Sequence, residues 1–319
     1  MSLKVVRQKA LTPKRADSQL KKMQSIRKDL PLYLILLPTI LLTLFFKYIP
    51  MPGILMSFMK YDVFLGFFKS PWVGLDNFAE IFTVPAISSS IANTLKLSIL
   101  NLLISFPLPI MFALLLNEIR CTAFKRVVQT VSYLPHFLSW VAAIGMAYSI
   151  YSVDGIINDL RVMLMGEGTE RIRFLASQSF FVPNILIITI WKTIGWSSIV
   201  FLSAIVGIDT ELYEAANIDG ANRFKQCIHI TIPSIMPTAV MIFILNIGGI
   251  LTDNFDLIYG LQNPFIDFET ISTVIYKQGI AGGNYSVATA LGLFQNGIGF
   301  LLVVGANWLS KKVNDVALW

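Results

Sequence analysis

The sequence predicts an all-α membrane protein that crosses the bilayer six times, and three observations support this fold class. The chain is 55% hydrophobic and only 14% charged, with a mean hydropathy of +0.67 over 319 residues. Its apolar residues fall into six runs, each long enough for the roughly 20-residue helix that spans a hydrocarbon core. Lysine and arginine collect in alternate connecting segments. A soluble domain of this length would need more charged surface.

The six predicted spans form one membrane domain, residues 31–319. Proline and glycine occur inside the apolar runs, which bilayer helices tolerate better than soluble helices do. Three longer segments connect spans on one side, near 50–89, 152–181 and 253–284. The predicted spans are 31–49, 90–117, 128–151, 182–206, 234–252 and 285–309.

The distribution of basic residues predicts the orientation of the spans. Sixteen Lys and Arg residues precede span one or follow spans two, four and six. Seven are on the other side, six in the three longer segments and Lys47 at the end of span one. The positive-inside rule therefore places both termini in the cytoplasm, together with the loop between spans four and five. The chain is accordingly expected to be a multi-pass protein of a bacterial cytoplasmic (inner) membrane.

Residues 1–30 form a basic cytoplasmic segment that holds nine Lys and Arg residues before position 29. Leu20, Met23, Ile26 and Leu30 recur at helical spacing among the lysines, which predicts an amphipathic helix on the inner leaflet. A disordered basic tail is the alternative. The apolar run after this segment is long and lacks a small-residue cleavage site, so a cleaved signal peptide is not expected.

No pattern of catalytic or metal-binding residues stands out. Cys121 and Cys227 are too few and too far apart to indicate a disulfide framework. His136 and His229 have no neighbours at metal-ligand spacing. The phosphate-loop pattern Gly-x-x-x-x-Gly-Lys-Ser/Thr is missing from the sequence. The chain is therefore not expected to be an enzyme or to hold a cofactor itself.

The loop 208–234, between spans four and five, contains a short polar helix. Asp209 is a good N-cap, and Glu211 and Glu214 lie where the helix dipole favours anions. Gly220 can end that helix in a conformation closed to residues with a Cβ. A second helix is expected over 221–230. So small a unit must pack either on the ends of its own spans or on another protein, and the residues alone leave both open.

The spacing in this loop resembles the EAA loop of bacterial ABC importer permeases. Glu214-Ala215-Ala216 is followed by three residues and Gly220, then by nine residues and Ile230-Thr231-Ile232-Pro233. Ile232 departs from the leucine of the family pattern, a swap of similar volume. The resemblance implies that Glu214 meets basic groups of an ATPase, that Ala215 and Ala216 permit close approach, and that Asp219 and Gly220 complete the coupling helix and its bend.

Other stretches are similar to the carbohydrate-importer permeases, in a branch that takes up oligosaccharides derived from polysaccharides and includes the alginate importer. They are FKYIPMPGILMSF, SPWVGLDNF, WKTIGW and TALGLFQNGIGFLLVVGANWLSKK. The resemblance implies alternating access driven by a partner ATPase that binds ATP and Mg. It also implies a second, non-identical permease, two ATPase subunits, an extracytoplasmic solute-binding protein and an oligosaccharide cargo. The lipid bilayer is the remaining partner, and no nucleic acid is expected.

Polar residues inside the spans are candidates for the substrate pathway. Lys192 lies mid-way along span four, near Trp191, Trp196 and Ser197. Indole rings stack on sugar rings, and an ammonium group would favour the carboxylate of a uronic acid. The alternatives for Lys192 are snorkelling or pairing with an acid. Three amides complete the candidate set, with helix–helix bonding as their alternative: Asn246, Gln295 and Asn296.

Three other functions fit the residues less well. A self-contained secondary carrier or channel commonly needs acids or histidines within its spans, and none lies well inside these. A membrane scaffold is the second alternative. An ABC permease for peptides or phosphate is the third, and only the similarity to sugar-importer permeases argues against it.

Overall fold

The structure is a computed structural model that describes residues 29–314. The all-α prediction is confirmed, since the described residues form helices and one isolated bridge between Met59 and Trp72. The amphipathic helix predicted before residue 29 lies outside the described residues. Six helical segments are long and apolar enough to cross a membrane, and we number them as spans one to six: Asp29–Phe58, Pro85–Glu118, Trp140–Met165, Gln178–Val206, Arg223–Gly248 and Tyr285–Lys312.

The chain divides into two compact units, one ending at Leu55 and one beginning at Met56. The first unit contains most of span one, an apolar helix that widens into a π-turn over Leu44–Tyr48. The hydroxyl of Thr43 donates a hydrogen bond to the carbonyl of Thr39 just before that turn, at 2.8 Å. The second unit contains the other five spans. The domain boundary predicted at residue 30 stays a prediction.

The predicted continuous helix over 128–151 is wrong in its bounds. The chain there forms a helix over Thr122–Tyr133, a 3₁₀ turn over Leu134–Phe137, and a new helix over Trp140–Tyr151. Pro135 has no N–H to continue the first helix. Ser139 then caps the second helix by accepting a hydrogen bond from the backbone of Ala142. The apolar pattern continues across the break, so hydrophobicity alone does not indicate it.

The fourth span is one unbroken helix of 29 residues. It packs against Pro107–Glu118, the second half of span two, and against the helix Thr122–Tyr133. Gly195 is buried at this second contact, where an added Cβ would overlap the carbonyl of Ser132. Small residues permit such close approach between helices in a bilayer.

Buried apolar side chains form three clusters along the second unit. One joins span four to the helix Phe255–Leu261 through residues such as Ile185 and Leu257. A second joins the helix Asp76–Thr83 to the start of span six. The third joins spans two, four and five near the end of span four. The clusters hold the second, fourth, fifth and sixth spans in one arrangement.

The three longer connecting segments contain helices of their own. They include Asp76–Thr83, Phe255–Leu261 and Ile271–Val274, the last continued by a π-turn over Ile275–Ala281. The helix Ile156–Met165 falls in the predicted segment 152–181 and forms the second half of span three. Side-chain amides tie their irregular backbone together. The amide of Asn77, for example, donates to the carbonyls of Ser57 and Met59 at 2.8 and 2.9 Å.

Gly195→Ala should destabilise the protein by about 1–3 kcal/mol, because the added methyl group must push the helix Thr122–Tyr133 away from span four. The measurement is thermal unfolding of the purified protein in detergent. Gly145→Ala is the matched control, since a Cβ there meets nothing within 4 Å. Equal melting temperatures for the two variants would contradict the close contact.

Candidate functional site

The polar loop after span four begins with a capped helix, Thr210–Ile218, which we call the loop helix. The carboxylate of Asp209 accepts a hydrogen bond from the backbone N–H of Glu211 at 3.0 Å, as the predicted N-cap requires. The loop helix buries none of its residues within this chain. Its position is therefore fixed by its two ends rather than by a hydrophobic core.

Gly220 ends the loop helix in the left-handed conformation, with φ of +75°. The backbone N–H of Gly220 donates to the carbonyl of Asn217 at 3.1 Å, and that of Ala221 donates to Ala216 at 2.8 Å. This pair of bonds is a Schellman motif, which satisfies carbonyls that the helix end would leave unpaired. A Cβ at Gly220 would meet nothing within 4 Å, so glycine is favoured there by its backbone angle alone.

Side chains tie the loop helix and its following turn to two spans. The hydroxyl of Tyr213 lies 2.9 Å from that of Thr231, within span five. At the start of span five, Arg223 forms an ion pair with Glu118, the last residue of span two, at 3.0 Å. The exposed ion pair adds little stability. Together the two contacts still connect the loop to both spans.

The helix expected over 221–230 is part of span five. It begins at Arg223, after a cap in which Asn222 accepts from the backbone of Lys225 at 2.9 Å. It continues through a π-turn at Cys227–Thr231 into the helix Ile232–Gly248. Pro233 lacks the N–H that an α-helical turn would use, and the wider turn precedes it. The loop is therefore directly continuous with a span.

The outward face of the loop helix combines acidic and apolar groups. Glu214 and Ala215 are exposed, and Ala216 is half-buried. Among the described residues, no side chain forms an ion pair or hydrogen bond with Glu214. Leu212 and Ile218 expose 50% and 87% of their surface. Exposed apolar side chains grouped in this way are typical of a surface that binds a partner.

A cavity of about 590 Å³, which we call the large cavity, lies between spans two, four and five. Its volume falls within the range of small-molecule sites. The residues that line it are Ser98, Asn101, Leu102, Ser105, Phe106, Pro109, Thr189, Thr193, Trp196, Ser197, Val200, Phe201, Ile242, Leu245, Asn246, Gly249, Ile250 and Thr252.

The lining of the large cavity is polar but carries no charged side chain. Hydroxyl and amide groups alternate with apolar ones, and Trp196 contributes an aromatic ring. Two of the polar atoms, Asn101 Oδ1 and Ser105 Oγ, are inaccessible to solvent and have no hydrogen-bond partner within the described residues. They lie one helical turn apart on span two. Unpaired buried polar atoms are costly, and these two lie in the wall that span two contributes to the cavity.

Three of the seven residues predicted for the substrate pathway line the large cavity: Trp196, Ser197 and Asn246. Trp191 does not line it and is 38% exposed. Gln295 donates to the carbonyl of Leu251 at 2.6 Å, and Asn296 donates to Gly292 one turn back. Gln295 therefore bonds to a neighbouring element, as in the alternative of helix–helix bonding, whereas Asn296 bonds within its own helix.

Lys192 is 4% exposed and does not line the large cavity. Its ammonium group donates to the carbonyls of Pro135 and His136, at 3.3 and 2.8 Å. It also lies 4.9 Å from the centre of the Trp140 ring. The lysine thus donates hydrogen bonds where the helix that ends at Tyr133 is interrupted before the helix that begins at Trp140. Backbone carbonyls in this interruption lack the N–H partners that a continuous helix would provide. Lys192 does not snorkel, and within residues 29–314 it forms no ion pair with an acid.

Lys192 affects the cavity through its neighbour. The ring of His136 stacks on the ring of Trp196, with centres 4.3 Å apart and planes 2° from parallel. Because Lys192 binds the carbonyl of His136, it fixes the residue that supports this cavity-lining indole. The sequence places Lys192 and Trp196 near each other, but the role of His136 requires the folded chain.

Several residues of the large cavity are not among those predicted from the sequence. On span two they are Ser98, Asn101 and Ser105, spaced three and four residues apart. On span four they are Thr189 and Thr193, which precede Trp196 at the same helical spacing. A search for polar residues recurring along one face of an apolar helix would have indicated both rows.

Comparison with known proteins identifies the family. Residues 105–314 match the family described as binding-protein-dependent transport system inner membrane component. The chain belongs to this family. Two relatives from Bacillus subtilis (strain 168) are Protein LplB, 42% identical over 93% of both chains, and the polygalacturonan/rhamnogalacturonan transport system permease protein YteP, 43% identical over 90% of both chains.

Solved structures agree with the assignment of this permease. A crystal structure of a bacterial ABC transporter that imports the acidic polysaccharide alginate aligns with a TM-score of 0.82 at 37% identity, over 92% of this chain and 99% of the other. A second structure, of a bacterial alginate ABC transporter with a periplasmic protein that carries an alginate pentasaccharide, aligns with a TM-score of 0.83 at 36% identity and the same coverage.

Several predictions from the sequence are therefore confirmed. The protein is a multi-pass inner-membrane permease of a carbohydrate ABC importer, with the six-span fold of the alginate transporter. It is not itself catalytic, and ATP binding belongs to the partner ATPase of such importers. The alternatives of a self-contained carrier, a channel and a scaffold do not fit a binding-protein-dependent family.

Lys192→Met should destabilise the permease by about 1.5–3 kcal/mol, because two buried carbonyls would lose a charged donor. Thermal unfolding in detergent measures the loss. Lys60→Met is the control, since Lys60 is exposed and its side chain has no bond to another described residue. A variant as stable as the control would show that the ammonium group does not stabilise the break.

Proposed function

We propose that this permease imports acidic, uronate-containing oligosaccharides. Two relatives of almost full length support this cargo: YteP is described as a polygalacturonan/rhamnogalacturonan permease, and the aligned structures are alginate transporters. Both named cargos are acidic polysaccharides or their fragments. The large cavity could hold either a neutral or an acidic sugar, because its hydroxyl, amide and indole groups suit sugar hydroxyls and ring faces.

Within the large cavity we assign direct contact with the sugar to Trp196, Ser197 and Asn246, together with Asn101 and Ser105. The observation that carries this assignment is the neutral lining of hydroxyl, amide and indole groups that these residues give the cavity. The other predicted pathway residues do not line the cavity, and we do not assign them to sugar contact: Trp191, Lys192, Gln295 and Asn296.

We also propose that the loop helix couples this cavity to ATP hydrolysis. The residues concerned are Glu214, Ala215, Ala216, Asp219 and Gly220. The positive-inside rule supports a cytoplasmic location for this loop and for both termini. An ATPase subunit docked there would meet an unpaired acid, small side chains for close approach and exposed apolar groups.

The contacts of the loop support a mechanical route to the cargo. The loop helix is bonded to span five through Tyr213 and Thr231, and the start of span five is paired with span two through Arg223 and Glu118. Both of these spans line the large cavity. Movement of the loop helix would therefore displace two walls of the cavity. The ATPase must bind the inward- and outward-facing states with different free energy, since otherwise it cannot shift their populations.

The proposed assembly contains a second, non-identical permease, two ATPase subunits and an extracytoplasmic solute-binding protein. The family description and the alginate complex with its periplasmic protein support the binding protein. Purification of the importer and identification of its co-purifying chains tests the assembly. ATP-driven uptake of oligogalacturonate into proteoliposomes tests the cargo, and uptake that persists without the ATPase subunits would overturn the proposed coupling.

Glu214→Lys should lower ATP-driven uptake by about tenfold or more while the protein still inserts in the membrane. Reversed charge at a docking surface costs several kcal/mol, and tenfold corresponds to only about 1.4 kcal/mol. The measurement is uptake per reconstituted importer, together with co-purification of the ATPase. Glu167→Lys is the control, because Glu167 is exposed in a different loop. Uptake unchanged in both variants would refute the role of Glu214.

Asn101→Leu should lower oligosaccharide uptake about three- to tenfold, because the cavity would lose one hydrogen-bonding group without a large change in volume. The measurement is the uptake rate with saturating loaded binding protein. Ser203→Ala is the control, since its hydroxyl is exposed on span four and bonds to its own helix. Equal rates in the two variants would argue against sugar contact at Asn101.

A further inference from the structure

A second cavity of about 450 Å³, the small cavity, lies toward the end of the bundle opposite the loop helix. Span two contributes Asn93 and Lys96, and the first turns of span four contribute Val182 and Leu186. Asp267, from the segment between spans five and six, completes it. None of these residues belongs to the large cavity or to the coupling loop.

The two cavities share one face of span four. Val182 and Leu186 line the small cavity, and Thr189 and Thr193 line the large one. The successive spacings of four, three and four residues place all four side chains on the same side of a helix. The small cavity is therefore the next space along span four, about one turn beyond the large cavity.

The two cavities differ in charge. The lining of the large cavity has no charged side chain, whereas the small cavity contains the ammonium group of Lys96 and the carboxylate of Asp267. Within the described residues, neither group forms an ion pair or a side-chain hydrogen bond. Both are exposed, so both can meet a charged molecule that enters the cavity.

The frame around these two charges is fixed. The side-chain amide of Gln178 donates to the carbonyl of Asp267 and accepts from its N–H, both at 2.9 Å. Asn93 donates to the carbonyl of Glu269 at 3.0 Å. The adjoining Phe268 packs on Phe181 with ring centres 5.4 Å apart. The backbone that carries Asp267 is therefore held against spans two and four, beside Lys96.

We propose that the small cavity is a binding site for the carboxylate of an acidic sugar, with Lys96 as its cation. The proposal rests on the proposed acidic cargo and adds the place where its charge is recognised. A sugar that has left this site would enter a cavity that holds it only through neutral groups. Transport requires that the sugar bind weakly enough to be released, and a buried cation in the large cavity would oppose that release.

Asp267 allows a test of whether the sign of the charge in the small cavity determines the affinity for an acidic sugar. Its carboxylate repels an acidic sugar, whereas Lys96 attracts one. Removing each charge should therefore change affinity in opposite directions. A variant that merely misfolds would lower the binding of every ligand, so the opposed changes separate charge recognition from loss of structure.

The experiment measures binding of fluorescent trigalacturonate, and of its carboxyl-reduced neutral form, to the purified importer without binding protein. Lys96→Gln should raise the dissociation constant for trigalacturonate about tenfold and that for the neutral form less than twofold. Asp267→Asn should lower the constant for trigalacturonate about threefold. Added salt should reduce both effects. Lys60→Gln, which removes an exposed lysine outside both cavities, should change neither constant.

Unchanged trigalacturonate binding in Lys96→Gln would overturn the proposal and leave Lys96 as a snorkelling lysine. Equal loss of the acidic and neutral forms would overturn it as well, since that pattern indicates a structural role. ATP-driven uptake of trigalacturonate by the unaltered importer is measured in parallel. Its failure would count against the proposed cargo, whereas normal uptake with no effect at Lys96 would count against this site alone.

Discussion

The fold depends on supplying hydrogen-bond donors to backbone carbonyls wherever a helix is interrupted away from water. Within a membrane protein, an interrupted helix loses partners that solvent cannot replace. In this chain, polar side chains from neighbouring elements replace them. Lys192 donates to Pro135 and His136, and Gln295 donates to Leu251 at the end of span five. These side chains allow non-helical segments to exist within an otherwise apolar, helical membrane domain.

The same interactions shape the large cavity. The break at residues 134–139 places His136 against Trp196, and Lys192 holds that break in position. Close contact of Gly195 with Ser132 brings span four near the same region. Lys192, the charged residue of span four, thus has a structural role, and only neutral groups line the large cavity. Recognition of a neutral sugar ring and recognition of a carboxylate can then occupy different places along span four.

In the proposed coupling, the loop helix acts on this arrangement from one end. It has no buried residue of its own within the chain, so a partner surface can hold it while Tyr213 stays bonded to span five, whose first residue, Arg223, pairs with span two. Those two spans also form walls of the large cavity. The loop helix and the large cavity are connected by the short turn at Gly220 and by helices, with few non-helical residues between them. Such an arrangement suits rigid-body transitions between two packed states.

The sequence by itself determined the all-α class, six apolar spans, the N-cap at Asp209 and the glycine end of the loop helix, because hydropathy and capping are local properties. It also indicated Trp196, Ser197 and Asn246. Tertiary structure decided the rest. The break near Pro135 lies within an unbroken apolar pattern, and the partners of Lys192 are about 56 residues away in sequence. Which polar side chains face a cavity and which satisfy backbone depends on such distant contacts, which no local pattern encodes.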